Sequence, residues 1–157
     1  MVDAAMIETL ADLGIVASVQ PAFDALWGGE QGMYAERLGV QRAVTLNPLA
    51  AMAAAGVVLA LGSDSPVTPL DPWGAVRAAV HHRTSTARID PGAAFAAHTR
   101  GGWAAAGRDQ EGVLTVGAAA TFAVWDSTEP GLPDLDPGRP LPTCSRTVVR
   151  GREVFAA

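Results

Sequence analysis

A single aspartate, Asp64, occupies a place in the chain where catalytic groups are commonly found. It lies in the turn Gly62-Ser63-Asp64-Ser65-Pro66, directly after the apolar run Val57–Leu61. An uninterrupted apolar run bounded by glycines predicts a strand buried on both faces. Because parallel α/β folds carry their chemistry just beyond the carboxyl ends of strands, Asp64 is a candidate functional carboxylate. The alternative is a loop aspartate that only accepts hydrogen bonds from neighbouring main-chain N–H groups.

Other residues with metal or nucleophile chemistry are few: the chain has 3 histidines and 1 cysteine. His81 and His82 are adjacent on a predicted helix, so their side chains point about 100° apart and are poorly placed to bind one metal ion. With His98, they are expected to be exposed helix residues. Cys144 has no partner for an internal disulfide, which favours an inert thiol in a reducing, cytoplasmic compartment.

Several function classes lack support in the sequence. Ser63 and Ser65 flank the aspartate, but there is no Gly-x-Ser-x-Gly elbow and no dinucleotide-binding or P-loop pattern. The net charge of −5 argues against a nucleic-acid partner, because phosphates need clustered cations. The longest uncharged run, 43–62, is broken by Asn47-Pro48 and Gly56, which argues against a membrane-spanning helix.

The residues before Asp64 predict an alternation of helices and strands. Asp3 is expected to cap a helix over 4–13 that ends at Gly14. The run Ile15–Val19 then predicts a second buried strand, which ends at Gln20-Pro21. Two parallel strands with a helical crossover between them follow from this order.

The segment between these two strands contains aromatic residues and glycines. Residues 22–38 predict a long loop with helical pieces over the strand ends, either a lid or pocket wall, or packing alone. Asn47 is expected to cap the Ala-rich helix that follows, with Pro48 in its first turn. Asp71 is expected to cap a helix over 73–83 in the same way.

The second half of the chain predicts one or two further helices and then antiparallel strands. The helical region is Pro91–Ala106, with Phe95 and Trp103 expected in the core. After it come two short strands joined at Gly117, a proline-rich loop and a hairpin, at Glu111–Gly117 and Thr121–Asp126, Glu129–Pro142, and Thr143–Val149 with Glu153–Phe155. The expected domain division is 1–106 and 107–157.

Several stretches, in this order, resemble the C-terminal part of the amidohydrolase superfamily, family 3, the branch that includes N-substituted formamide deformylases. They cover nearly the whole chain and are Val16–Pro21, Ala55–Val67, Asp71-Pro72, His98–Arg100, Ala104-Ala105, Gly112–Gly117, Phe122–Asp126 and Thr147–Arg152. The resemblance implies an α/β fold: the last strands and helices of a (β/α)8 TIM-type barrel in 1–106, and C-terminal antiparallel β-sandwich strands in 107–157.

The resemblance also implies a site. Family members bind one or two divalent metals, usually zinc, and Asp64 matches the aspartate that ends strand eight, binds metal and shuttles a proton from the attacking water to the leaving nitrogen. Zinc makes such a water acidic enough to ionise near neutral pH. Gln20, Ser65 and Pro66 would line the mouth of the substrate pocket. The implied reaction is hydrolysis of a C–N bond in an amide, formamide or cyclic amide.

The chain also departs from the family pattern. The family's His-x-His, its bridging ligand and its two single histidines should lie upstream of Gln20, yet no histidine precedes His81, and Thr121 stands where Asp is usual. A full barrel needs about 250 residues. We therefore expect a C-terminal fragment that is inactive and metal-poor alone, and that pairs with a copy of itself or with the missing N-terminal part. The alternative is a non-catalytic α/β module that binds a partner or self-associates.

Overall fold

A computed structural model of the chain describes residues 2–127 and 130–157. Helices fill the first two thirds of these residues, and a small antiparallel sheet follows. In chain order the elements are α1 Ala4–Asp12, β1 Ala17–Val19, α2 Pro21–Trp27, α3 Met33–Leu38, α4 Val40–Ala43, α5 Leu49–Ala54, β2 Leu59–Leu61, α6 Pro72–Val80, a 3-10 turn Ser85–Ala87, α7 Pro91–His98, α8 Arg100–Ala105, β3 Phe122–Asp126, β4 Thr143–Val149 and β5 Arg152–Ala156.

The strands β1 and β2 pair in parallel, as predicted, with Ala17 opposite Leu59 and Val19 opposite Leu61. All three residues of β2 are buried. Both strands are shorter than the apolar runs that predicted them, because the first residues of each run still close the preceding helix.

That closure is the same at both helices. Gly14 and Gly56 follow α1 and α5 with φ of 61° and 83°. The next N–H, of Ile15 or Val57, donates to a carbonyl five residues back in the helix, over 2.9 and 3.0 Å. This is a Schellman closure, in which a left-handed glycine lets the chain leave the helix and turn into the strand. The predicted role of Gly14 is confirmed.

The helix caps agree with the sequence in two places and differ in one. Asp3 and Asp71 cap α1 and α6, each accepting a main-chain N–H three residues on at 2.9 Å. The predicted cap at Asn47 is wrong: Asn47 is left-handed with φ 51°, and Pro48 is the capping residue of α5. Asparagine tolerates the left-handed region better than most residues.

The core lies between the parallel strands and the helices α5, α6 and α7. Its buried members are Ile7, Leu49, Met52, Val57, Leu59, Leu61, Trp73, Val76, Ala79, Ile89, Ala94, Ala97 and Leu135. Trp73 stacks on Phe95 with ring centroids 5.6 Å apart and meets the edge of Trp125, from β3, at 6.0 Å. The sheet therefore joins the same core through Trp125.

Two of the predicted core aromatics are less buried than expected. Phe95 is 38% exposed, because one ring face packs on Trp73 while the side chain lies at the surface of α7. Trp103 is half-buried, and the guanidinium of Arg108 lies 4.6 Å from its ring centroid. A cation over an aromatic face is a typical surface arrangement.

The second sheet has the order β3-β4-β5 and is antiparallel throughout. The predicted hairpin is confirmed: Arg150 and Gly151 connect β4 to β5 with φ of 49° and 78°, as a two-residue turn of the I′ kind requires. The predicted strand 111–117 is wrong, since that segment forms turns and bends, and Leu114 and Val116 in it are exposed. The alternating apolar residues of this segment are not covered by the core, so they do not define a buried face of a strand.

The predicted proline-rich loop is confirmed over 130–142, which contain neither helix nor strand, while Glu129 lies outside the described residues. Within the described part of the chain, no helix has the length and hydropathy of a membrane-spanning segment.

Candidate functional site

The two parallel strands deliver their carboxyl ends to one edge of the sheet. The N–H of Gly62 donates to the carbonyl of Val19 over 3.0 Å, so the chain leaves β1 toward Gln20 and β2 toward Asp64 side by side. The predicted position of Asp64, at the end of a buried parallel strand beside the end of the 15–19 strand, is confirmed. The roles of both residues stay predictions.

The turn that carries Asp64 is held by its neighbours. Asp64 is left-handed, with φ 53°, and its carbonyl accepts the N–H of Val67 at 2.8 Å. The Ser63 hydroxyl accepts the N–H of Ser65 at 3.2 Å, and the buried Thr68 hydroxyl donates to the Ser63 carbonyl at 2.5 Å. The turn is thus built without the aspartate side chain.

The Asp64 carboxylate is consequently left for other partners. Its residue is exposed, and within 2–127 and 130–157 no hydrogen bond or ion pair to that carboxylate is formed. The alternative interpretation, a loop aspartate that satisfies local N–H groups, does not describe this turn. Ser65 and Pro66, joined by a cis peptide bond, are exposed beside it, and Gln20 is half-buried.

The described residues do not make a complete metal site. Among them no three or more His, Cys, Asp or Glu side chains lie close enough together to hold one ion. Catalytic zinc sites use three protein ligands and structural sites use four. Asp64 can therefore supply one ligand, and the rest would have to come from outside the described residues.

The prediction of exposed histidines holds for His81 alone. His82 is 1% exposed, and its Nδ1 lies 3.4 Å from Oδ2 of Asp24, which is 3% exposed. The predicted helix 73–83 ends at Val80, and His82 lies just beyond it, where α2 packs on α6. No sequence signal indicated the burial of His82 or Asp24.

His98 is half-buried at the end of α7, so its expected exposure is also wrong. Burial lowers the pKa of His98, while the carboxylate of Asp71 acts in the opposite direction. No contact joins either His82 or His98 to Asp64 within the described part of the chain.

Two cavities lie away from the strand ends. One of about 430 Å³ is bordered by Leu26, Arg83 and residues 28–32, which we call the glycine loop. Another of about 310 Å³ lies over the 133–142 segment, beside Asp126. Neither includes Gln20, Ser65, Pro66 or Asp64. The glycine loop joins α2 to α3, where Trp27 packs between Phe23 and Tyr34 at 5.0 and 6.3 Å.

Parallel strands that present a carboxylate at their carboxyl edge, followed by a small antiparallel sheet, are the features of part of a hydrolase domain. The family model described as "Amidohydrolase family" matches residues 1–155, and the chain belongs to this family. No curated protein gives a significant match.

Solved structures agree with the family assignment. An uncharacterized metal-dependent hydrolase from Pyrococcus furiosus superposes with a TM-score of 0.67 and 25% identity over 76% of this chain and 25% of that one. An uncharacterized metal-dependent hydrolase from Pyrococcus horikoshii OT3 gives 0.58 and 25%, over 71% of this chain and 25% of that one. The chain thus spans about a quarter of the length of these two structures.

Proposed function

We propose that the chain is the carboxyl-terminal part of a metal-dependent amidohydrolase that hydrolyses non-peptide C–N bonds, in an amide, formamide or cyclic amide. The observation that carries this proposal is the Asp64 turn, which presents at the end of a buried parallel strand an exposed carboxylate with no partner in 2–127 or 130–157. In this proposal Asp64 is the one metal ligand and catalytic carboxylate that the chain contributes.

The same proposal interprets the two sheets. The strands β1 and β2, each delivered by a glycine-closed helix, would be the last strands of an incomplete (β/α)8 barrel within 1–106. The three antiparallel strands would belong to a β-sandwich within 107–157. Coverage of a quarter of each hydrolase structure supports this, because a whole barrel would occupy more residues than are present here.

The residues beside Asp64 would contact the substrate. The Gln20 amide and the Ser65 hydroxyl each offer a donor and an acceptor suited to an amide group. Pro66 gives a rigid apolar surface next to them. The coordination of a divalent ion, zinc in the usual case, would be completed by ligands outside the described residues. We assign no chemical step to the chain alone.

A second candidate function is a non-catalytic module that self-associates. It is favoured by the apolar side chains that the antiparallel sheet leaves exposed, namely Phe122, Val124, Val149, Val154 and Phe155. Apolar patches of this kind mark protein–protein contacts.

Metal content and hydrolysis separate the two functions. Zinc and amidase activity would be measured for the chain alone and for the chain combined with a polypeptide that carries the upstream barrel strands and a His-x-His. We expect both to appear only in the combination, and Asp64→Asn to abolish them there. Near-stoichiometric zinc with amidase activity in the isolated chain would overturn the need for outside ligands. Activity unaffected by Asp64→Asn would overturn the role of Asp64.

A further inference from the structure

A buried polar contact joins the two loop–helix units that follow the candidate site. Helix α2 begins directly after Gln20, and α6 begins after the loop that contains Asp64. The first turn of α2 meets the end of α6 where Asp24 faces His82, just beyond α6. Both residues are almost completely buried, at 3% and 1% exposure. Burial of an acid and an imidazole is costly unless they are hydrogen-bonded, so this contact has to be specific.

The Asp24 carboxylate is enclosed by main chain on two sides. Its Oδ2 accepts the N–H of Arg83 over 2.7 Å. Its Oδ1 occupies the space beside Gly28, where a Cβ would lie only 2.0 Å from that oxygen. The carboxylate therefore fixes the beginning of the glycine loop to the end of α6, and a side chain at position 28 would displace it. The Arg83 guanidinium adds a second tie by donating to the Ala25 carbonyl at 2.7 Å.

His82 Nδ1 has two neighbours that demand opposite protonation states. The N–H of Thr84 donates to Nδ1 over 3.1 Å, which requires an unprotonated Nδ1 and a neutral ring with its proton on Nε2. The Asp24 carboxylate, 3.4 Å from the same nitrogen, can only accept a proton from it. A protonated ring would thus donate to Asp24 and release the Thr84 N–H. Nε2 is buried and has no partner among the described residues.

The charged and titratable groups around this pair come from α2, α3 and the residue after the 3-10 turn. Burial lowers the pKa of His82, Asp24 opposes this, and Arg88, whose Nε donates to the His82 carbonyl at 2.9 Å, lowers it further. From α3, Tyr34 faces Asp24, and burial together with that carboxylate raises the pKa of the Tyr34 hydroxyl. The neutral imidazole with Thr84 as its donor is accordingly the state that the surroundings favour.

We propose that Asp24 is a positioning residue: by accepting the Arg83 N–H beside the buried His82 ring, it holds α2, and through it Gln20, against the end of α6. Helix α2 is only seven residues long, so anchoring Asp24 in its first turn fixes the direction in which Gln20 leaves β1. The Gln20 side chain makes no capping bond to α2, which leaves its amide available to a ligand. The assignment of Gln20 to substrate rests on the function proposed above. The bond between Asp24 and the Arg83 N–H beside His82, which we call the clamp, does not.

The clamp can be tested in the full chain without metal or substrate. Asp24→Ala should raise hydrogen exchange in the peptide that covers 21–32 by about tenfold or more, the usual consequence of losing a hydrogen bond to a charged group. Asp24→Asn, which keeps an acceptor for the Arg83 N–H, should restore part of the protection. His81→Asn, next to His82 but exposed, is the matched control and should change nothing. Exchange unaltered by Asp24→Ala would overturn the clamp.

The pH at which His82 is protonated is a second measurement. A contact that only packs the two residues together would not change it. In NMR titrations the amide proton of Thr84 should shift together with the His82 ring, and Asp24→Asn should lower the pH of that transition. In His82→Asn, whose amide oxygen replaces Nδ1 as an acceptor, the Thr84 amide should keep its shift and lose its pH dependence. If the chemical shift of the Thr84 amide proton does not change with the His82 transition, the proposal that Thr84 and Asp24 compete for His82 Nδ1 is wrong.

The positioning role has its own test in an active assembly. There Asp24→Ala should raise KM by severalfold and leave kcat nearly unchanged, because Gln20 is displaced while Asp64 is not, and Asp24→Asn should raise KM less. Increased exchange with an unchanged KM would overturn the positioning role and leave the assignment of Asp64 intact. Absence of hydrolysis in every assembly would count against the proposed function, and the clamp would then be judged on exchange and titration alone.

Discussion

The main-chain N–H of Gly62 donates to the carbonyl of Val19 over 3.0 Å, and this bond places Gln20 and Asp64 at one edge of the parallel sheet. The two residues are 44 positions apart in sequence. Each strand follows a left-handed glycine that ends a helix, and the two residues meet because the strands pair in parallel, so their carboxyl ends lie side by side. The site is therefore a product of two similar helix–glycine–strand units.

Replacement of Asp64 should affect function and spare the fold. The carboxylate is exposed and makes no bond within the described residues, so Asp64→Asn should change the free energy of unfolding by less than about 0.5 kcal/mol. Substitution of a residue that hydrogen-bonds to a metal ligand reduces activity by roughly 10–100-fold. In an active assembly Asp64→Asn should reduce activity by more than that, because Asp64 is proposed to be a ligand itself. Denaturation and amidase assays check both, with the exposed Asp109→Asn as control. A large loss of stability would show that Asp64 is a structural residue.

Gly56 should be intolerant of a side chain for a backbone reason. Its φ is 83°, and a Cβ there would meet no atom within 4 Å, so strain alone opposes substitution. Gly56→Ala should destabilise the chain by about 1 kcal/mol or more. The control is Gly102→Ala, in the interior of α8 with open space around it, which should stabilise by up to about 1 kcal/mol. Equal effects at both positions, measured by denaturant unfolding, would contradict the Schellman closure.

Stability should decrease as the pH falls below about 6.5, the ordinary pKa of histidine. Burial lowers the pKa of His82 and His98 in the folded chain, so between the lowered values and 6.5 the unfolded state binds more protons. The free energy of unfolding therefore rises with pH across this window. The stability that the two neutral histidines contribute is lost as the pH falls through it. Urea denaturation at several pH values tests this. His82→Asn should flatten the profile and His81→Asn should not.

Local patterns in the sequence were sufficient for the helix–strand order, because glycine closures and the caps at Asp3 and Asp71 are made within a few residues. Contacts between distant residues were not accessible in this way. Asp24 and His82 are separated by 58 positions, and nothing near Asp24 indicates its burial. The 111–117 segment failed for the converse reason, since alternation predicts a strand only where a partner strand and a covered face exist.

Asn47 shows how one residue type serves two local structures. Asparagine favours helix caps and also tolerates left-handed turns. The following proline does not decide between them, because Asp71 also precedes a proline and does cap its helix. The position of Asp64 and Gln20 at the strand ends was predicted correctly for a different reason. The parallel pairing of two buried apolar runs leaves little freedom in where their carboxyl ends lie.

The chain should associate in solution rather than remain a compact monomer. In the described structure β1 and β2 form a sheet of only two strands, and β3 and β5 leave the edges of the second sheet unpaired. Every residue of β5 is exposed, including Val154 at 56% and Phe155 at 48%. Unpaired edges and apolar faces recruit other chains, either a second copy or a polypeptide that completes the sheets.

Light scattering over a range of concentrations measures this association. We expect a mass above 16.1 kDa that increases with concentration. Val154→Lys, which places a charge on the edge strand, should shift the distribution toward monomer, because edge lysines oppose strand addition. Val154→Ile is the matched control, since it keeps an apolar β-branched side chain at the same position and adds no charge. A monodisperse monomer at high concentration that unfolds cooperatively would instead establish a self-contained α/β module, and would remove the main reason for expecting a partner chain.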